Sequence, residues 1–337
     1  MAHTVCVIKG DGIGPEVTEA TQRVIAATGV DISWISLPAG AGAVKKYGKT
    51  LPAHTLDHIE EYKIALKGPV TTPIGKGFKS VNVQLRKRAN LYCAIRPVRN
   101  LPGIKTRYDN VDIVIFRENT EGLYSGLENE ISDGVVTSLK VVTRAASERI
   151  ARAAFKYCQE RNRKKVTVFH KANIMKKSDG LFLDCVRRIH EEVAPEIEYE
   201  ELIIDNACMQ MVRDPSRFDV LLLENLFGDI ISDLCAGLVG GLGVVPGANY
   251  GDEVAVFEAV HGSAPDIAGQ DLANPLALIM SGVMMLRHLG EVEQARKLRD
   301  SYDALLADGN PAELTRDLGG TAGTTAFTDA LIKRITA

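Results

Sequence analysis

The stretch from Leu223 to Asp233, LENLFGDIISD, carries two carboxylates at a spacing that can do chemistry. Asp219 to Glu224 reads as a short buried strand through Val220 to Leu223, and Gly228 is expected to break it before an apolar helix that begins with Ile230 and Ile231. Asp229 and Asp233 then sit four apart on one face of a helix start, where like charges repel by roughly 0.2–0.5 kcal/mol and the helix dipole offsets part of the cost. A divalent cation would make the arrangement favourable. With oxygen donors only and no nearby Cys or His, that ion is hard, magnesium or manganese and not zinc. The alternative is a solvated acidic helix start with Asp229 as its cap.

Three arginines, Arg86, Arg96 and Arg117, each lie at or near the end of an expected element, flanked by Asn, Ser or Pro. Guanidinium forks clamp carboxylates in two-pronged fashion, so three of them with Ser80 and Asn82 would suit a small tricarboxylate. Three unrelated surface arginines, with Ser80 as a simple helix cap, remain the alternative. Lys171 ends a strand, at the edge where α/β proteins build sites, and Tyr124 follows Arg117 in RENTEGLY; either can carry a proton if it lies near a charged site. The run Glu258 to Asn274, EAVHGSAPDIAGQDLAN, is polar and glycine-broken, the composition of a ligand loop or of an ordinary surface loop. The turn GDGIG, Gly10 to Gly14, follows a strand, and Asp31 falls about twenty residues later, as in a dinucleotide fingerprint. Its glycines run GxGxG, Pro15 removes an amide and Asp31 precedes its strand, so a tight turn is the better reading.

These residues need elements to hold them. Strand His3 to Lys9, the GDGIG turn and an amphipathic helix from Glu16 to Thr28, with Pro15 at its first position and Gly29 as its stop, open an α/β domain. Further strands are expected at Ile32–Leu37, Tyr62–Lys67, Tyr92–Pro97, Ile113–Arg117, Val166–His170, Ile197–Ile204 and Val220–Leu223. Between them come GPVTTPIGKG as a loop, a short polar helix VNVQLRKR capped by Ser80, helices Ser147–Arg161 and Lys177–Val193, and a short one around Met209. Gly237 to Gly251 returns the chain to the first domain, and helices Pro275–Leu289, Val292–Ala307 and Ala326–Ile335 close it. Such alternation predicts a largely parallel sheet covered by helices.

Composition narrows the function. Forty basic against 43 acidic residues give no whole-chain field for nucleic acid or membrane, so any anion site must be a local arginine cluster. The six cysteines are dispersed without a CxxC pair, as buried thiols in a reducing compartment would be, and the longest apolar run, near Pro275 to Leu286, falls short of the ~20 residues of a membrane span. With the first strand starting within a few residues of Met1, the expectation is a cytoplasmic protein.

Over nearly its entire length the chain resembles the β-decarboxylating dehydrogenases that act on isocitrate, isopropylmalate, homoisocitrate and tartrate, through GDGIGPE, IVIFRENTEGLYSG, HKANIM, GDIISD and HGSAPDIAGQDLANP in combination. The resemblance implies two α/β domains with a mixed, largely parallel sheet, not a GxGxxG Rossmann domain: a large cofactor-binding domain of residues 1–98 and 246–337, and a small domain of 99–245 that carries the dimer clasp. It implies a homodimer with shared active sites, in which Arg86, Arg96 and Arg117, with Ser80 and Asn82, bind substrate carboxylates. Asp229 and Asp233 of one subunit and Asp205 of the other hold Mg²⁺ or Mn²⁺, while Tyr124 and the other subunit's Lys171 move protons. Ile13, Thr72, Glu258, His261, Gly262, Ser263, Ala264, Pro265, Asp266, Ile267 and Asn274 are its cofactor residues. SVNVQLR, with Ser80 and Asn82, resembles the isocitrate enzymes, since isopropylmalate enzymes carry apolar residues there. Asp266 with Ile267 implies NAD, because an acid accepts hydrogen bonds from ribose hydroxyls and repels a 2′-phosphate, and NADP-using relatives commonly carry Lys and Tyr.

Overall fold

Alternating strand and helix signals produce a single ten-stranded sheet in the computed structural model, which describes residues 2–71 and 80–337. The first half contributes β1 (His3–Ile8), α1 (Gly14–Ala27), β2 (Ile32–Ser36), α2 (Ala41–Tyr47), α3 (Ala53–Tyr62), β3 (Ile64–Lys67), α4 (Val81–Arg88) and β4 (Cys93–Arg99). Next come β5 (Asp112–Glu118), a hairpin of β6 (Gly122–Ser132) and β7 (Val135–Val141), α5 (Arg144–Arg161), β8 (Lys165–His170), α6 (Ser178–Val193), β9 (Glu198–Ile203) and α7 (Ile204–Arg213). The chain ends with β10 (Val220–Leu223), α8 (Asn225–Leu238), β11 (Pro246–Tyr250), β12 (Ala255–Ala259), α9 (Leu276–His288), α10 (Val292–Asp308) and α11 (Thr324–Thr336).

Strand order is β2-β1-β3-β12-β11-β4-β5-β10-β8-β9, with β6 and β7 forming a separate two-stranded ribbon. Parallel pairing dominates, and the antiparallel pairs β12–β11, β11–β4 and β4–β5 are confined to the middle. The fold is thus the mixed, largely parallel α/β sheet expected. Helix α9, LALIMSGVMMLRH, is buried on nearly every side, which is why it is apolar all round. Among the described residues no helix is long and apolar enough to cross a membrane.

Two expectations change. Helix α8 begins at Asn225, so Gly228 lies inside it instead of breaking the chain before it. A Cβ at Gly228 would stand 2.5 Å from Arg117 Cγ, so the glycine is there for close approach and not as a stop. Secondly, Ala255–Ala259 is a central strand, flanked by β3 and β11, so Glu258 belongs to the sheet and not to the polar loop that follows.

Sheet register places the arginines. In the antiparallel β4–β5 pair Arg96 faces Ile115 and Ala94 faces Arg117, so Arg96 and Arg117 are diagonal neighbours on one face. Strand β10 runs alongside β5 with Leu223 opposite Arg117, and the chain turns directly from it into α8, which crosses that face. At the other side of the cleft, Glu258 of β12 is in register with Lys67 of β3.

Candidate active site

Beneath α8 the sheet, α4 and the loop after β12 enclose a cleft of about 270 Å³, lined by Ser80, Asn82, Arg86, Arg96, Arg117, Tyr124, Asp229 and Asp233 among others. All five residues expected to bind carboxylates therefore meet in one place. Arg117 is 1% exposed; its Nε and Nη2 donate to Asn225 Oδ1 at 3.1 and 2.7 Å, its Nη1 donates to Asp229 Oδ1, and its guanidinium stacks 5.1 Å from the Tyr124 ring. Arg96 Nη1 donates to Ser232 Oγ and lies 3.8 Å from Asp233, while Nη2 lies 3.7 Å from Asp229. Arg86 has Nη2 3.5 Å from Glu258 Oε1, yet among the described residues its Nε is buried without a hydrogen-bond partner, as is the amide oxygen of Asn82. Buried polar groups of this kind need a partner, which in an open cleft is water or a bound ligand.

Among the described residues lining the cleft, Lys67, Arg86, Arg96 and Arg117 face only Glu258, Asp229 and Asp233, so positive charge is in excess. Burial, together with the neighbouring Arg86 and Arg96, lowers Arg117 to about 9, against the pull of Asp229; the guanidinium stays charged at neutral pH. Burial and Arg86 likewise lower Arg96. Asp229 ends below the usual carboxylate range, because Arg117, the Tyr124 hydroxyl and Arg96 outweigh the upward push of burial. For Asp233 burial wins and its pKa rises. Tyr124 donates its hydroxyl to Asp229 Oδ2, and burial followed by that bond raises its pKa, so it stays protonated.

Asp229 and Asp233 lie four residues apart on α8 and present oxygen only, which fits part of a hard-cation site. One chain does not complete it: among the described residues no three His, Cys, Asp or Glu side chains are grouped to hold a metal. Lys171 and Asp205 are instead paired with each other, Lys171 Nζ donating to Asp205 Oδ1, and neither lines the cleft. The Lys171 hydrogen bond depresses the Asp205 carboxyl.

The expected cofactor residues fall into two groups. The GDGIG turn and the loop after β12 are joined: Ile13 N donates to Ser263 O at 2.8 Å, and a Cβ on Gly12, at φ +58°, would stand 1.9 Å from that same oxygen. Asp11 braces the turn by accepting from the amides of Ala41, Gly42 and Thr71 at 2.8–3.0 Å. His261 and Gly262 reach the arginine cleft, and His261 Nε2 is buried with no partner among the described residues. Ala264 has a positive φ of 35°, Pro265 and Asp266 are exposed, and Ser263 and Ile267 are half-buried. Glu258 and Asn274 are more deeply placed. Glu258 accepts from Asn249 Nδ2 at 2.7 Å and pairs with Lys67 Nζ at 2.6 Å; Asn274 Oδ1 accepts from Leu276 N at 2.9 Å and its Nδ2 donates to Asp317 at 2.8 Å. Thr72 lies outside the described residues.

Sequence reading missed Lys67, Asn225, Ser232 and Asn249, which hold these charges in place. For Lys67 a signal existed, a lysine closing an otherwise apolar strand before a Gly-Pro turn, whereas nothing local marks Asn249.

A profile of the isocitrate/isopropylmalate dehydrogenases matches residues 4–334. This chain belongs to that family. It is 53% identical over 329 residues to the mitochondrial NAD isocitrate dehydrogenase catalytic subunit 5 of Arabidopsis thaliana, spanning 97% of this chain and 87% of that one. It is 51% identical over 335 residues, 98% and 92% of the two chains, to a mitochondrial NAD isocitrate dehydrogenase regulatory subunit of Dictyostelium discoideum. Among solved structures, the isocitrate dehydrogenase from Methylococcus capsulatus superposes with a TM-score of 0.96 at 49% identity, covering 99% of this chain and 100% of that one. The cytoplasmic expectation is corrected by these family members: the plant and Dictyostelium proteins are both named mitochondrial. An early first strand says nothing against that, because compartment is set by an address read by import machinery and not by the fold.

Proposed function

We propose that this family member is catalytic and oxidises isocitrate to 2-oxoglutarate and carbon dioxide with reduction of NAD. The observation that carries the reading is the convergence of three guanidiniums, buried over one face of the sheet, on a cleft in which the Asn82 amide oxygen and Arg86 Nε lack partners among the described residues. Arg86, Arg96 and Arg117 clamp carboxylates of the substrate, and Ser80 and Asn82 receive the γ-carboxylate by hydroxyl and amide. Asp229 and Asp233, with Asp205 of a second copy, would hold Mg²⁺ or Mn²⁺, which when bound supplies Lewis-acid charge to the 2-hydroxyl and the developing carbonyl, while NAD supplies the hydride acceptor. Lys171 of that second copy takes the hydroxyl proton. Tyr124, holding its own proton firmly, returns one to carbon after carbon dioxide leaves.

The homodimer belongs to the same proposal. Exposed apolar side chains lie on the β6–β7 ribbon (Leu127, Ile131, Val135, Val136, Leu139), beside Lys171 (Ile174), on α7 (Met209, Val212) and on α8 (Ile230). Exposed apolar surface on several elements is what a subunit interface covers. A second copy covering it would bring Lys171 and Asp205, which start the 171–174 turn and α7, toward a neighbouring cleft. In this reading residues 1–98 and 246–337 form the large domain and residues 99–245 the small one.

A regulatory role is the competing reading, since a relative so named is 51% identical. The presence of Tyr124, Lys171, Asp205, Asp229 and Asp233 together favours catalysis. The purified chain, given Mg²⁺ and NAD with isocitrate, homoisocitrate or isopropylmalate in parallel, should form NADH with isocitrate alone at a high rate; no NADH from any of the three would refute the proposal.

A further inference from the structure

The arginine cleft occupies one face of the sheet, and the opposite face holds a larger cavity of about 690 Å³. Along β4 the alternation is plain: Arg96 points into the cleft, while Cys93, Ile95, Pro97 and Arg99 line the cavity. Phe116, Tyr157, Tyr250 and Tyr302 complete an aromatic floor, with α5 forming one wall and α9 and α10 the other.

The charge on its rim is unbalanced in a chain whose net charge is −3. Arg163 is answered by Asp112 at 2.7 Å and Asp219 at 2.8 Å, Arg99 by both oxygens of Asp303 at 2.7 and 2.8 Å, and Lys156 by Glu160 at 3.8 Å. Arg161 and Arg287 have no carboxylate within ion-pair distance among the described residues, and Arg299 has only Asp303, at 3.8 Å, which Arg99 already holds. Arg287 Nε is in addition buried with no hydrogen-bond partner among the described residues. Burial, then Arg161, then Arg299 lower the Arg287 pKa, as three like charges held together without an anion between them must. Arg161 and Arg287 both sit in the last turn of their helices, α5 and α9, and both line the cavity. The exposed apolar residues that a second copy would cover lie on β6, β7, α7 and α8, away from this cavity.

We propose that this cavity is a second binding site, for a small multiply charged anion carrying phosphate or carboxylate groups, held by Arg161, Arg287 and Arg299 over the tyrosine floor. Such an anion bridges α5, which packs on β5, to α9, which packs on β11 and β12, and so ties together the helices on either side of β4 in the middle of the sheet, behind the arginine cleft.

The test is calorimetric titration of the full chain with inorganic pyrophosphate and, separately, with tricarballylate. The arginine cleft also attracts anions, so the wild type is compared with Arg161→Gln/Arg287→Gln and with Arg86→Gln. We expect at least one probe to show a binding component that weakens by roughly tenfold or more in the double variant and persists in Arg86→Gln. Pyrophosphate alone behaving so identifies a phosphorylated ligand, tricarballylate alone a polycarboxylic one, and both the shared anion chemistry. Arg161 is exposed, so Arg161→Gln by itself supplies the comparison should the double variant not fold. Binding of both probes unchanged in the Arg161 variants, or lost only in Arg86→Gln, overturns the proposal.

Discussion

Replacing Glu258 by Gln removes one charge from the floor of the arginine cleft and keeps its shape. The carboxylate is 8% exposed, 2.6 Å from Lys67 Nζ, 2.7 Å from Asn249 Nδ2 and 3.5 Å from Arg86 Nη2. Burial alone would raise its pKa, but Lys67 and then Arg86 outweigh it and bring it from 4.5 to about 2. A shift of that size is worth about 3 kcal/mol of folded-state preference for the ionised form. The sign is that of a depressed acid: the contribution is complete above about pH 4.5 and is lost as pH falls from there toward about 2. Glu258→Gln should therefore destabilise the protein by about 3 kcal/mol near neutral pH, chiefly by leaving Lys67 charged and 2% exposed, and lower its melting temperature by roughly 5 °C. Thermal denaturation followed by circular dichroism at about pH 7 and about pH 3 measures this, and the gap between wild type and variant should shrink at the lower pH. Adding Lys67→Met should recover much of the loss, since removing both members of a buried pair costs less than removing one. A destabilisation under about 1 kcal/mol, or one that does not change with pH, would refute the reasoning. In kinetics the loosened Arg86 should raise the KM for isocitrate; a raised KM for NAD alone would assign Glu258 to the cofactor instead.

Three other variants probe the site. Asp229→Asn should abolish turnover while the chain still folds, and full activity of that variant at low magnesium would count against the metal role. Asp266→Lys with Ile267→Tyr should move preference toward NADP, measured as the ratio of kcat/KM for the two cofactors, since Asp266 is exposed on the loop that meets the GDGIG turn. Gly228→Ala gains about 0.5–1 kcal/mol of helix propensity but puts a methyl 2.5 Å from Arg117 Cγ, an overpacking that costs about 1–3 kcal/mol, so a lower melting temperature and a higher KM for isocitrate are expected.

Elements with a strong period were legible from the sequence. Helix α1, between Pro15 and Gly29, and the apolar strands β1, β5 and β10 stand within a few residues of where their patterns put them. The short polar helices α2 and α3 went unread because neither carries a long apolar stripe, and β11 and β12 because PGANY and AVFEA owe their strand form to neighbours on both sides. Gly228 misled for a physical reason: a glycine marks a helix end and a close approach equally well, and only the position of Arg117 decides between them. The five candidates for carboxylate binding share one cleft, and they stood out because arginine, serine and asparagine beside apolar segments are conspicuous. Lys67 and Asn249 were not, because their importance comes from Glu258, which the sheet register alone brings beside them.

The central claim, an active site assembled from two copies, is met most directly by complementation. Lys171→Met and Asp229→Asn, each inactive alone, are mixed, allowed to exchange subunits, and assayed for isocitrate-dependent NADH formation. Random exchange makes half the dimers mixed, each with one site that draws wild-type Lys171 from one copy and wild-type Asp229 from the other, so about a quarter of wild-type activity should return. If exchange is demonstrated and no activity returns at any mixing ratio, Lys171 and Asp229 act within one chain and the account fails.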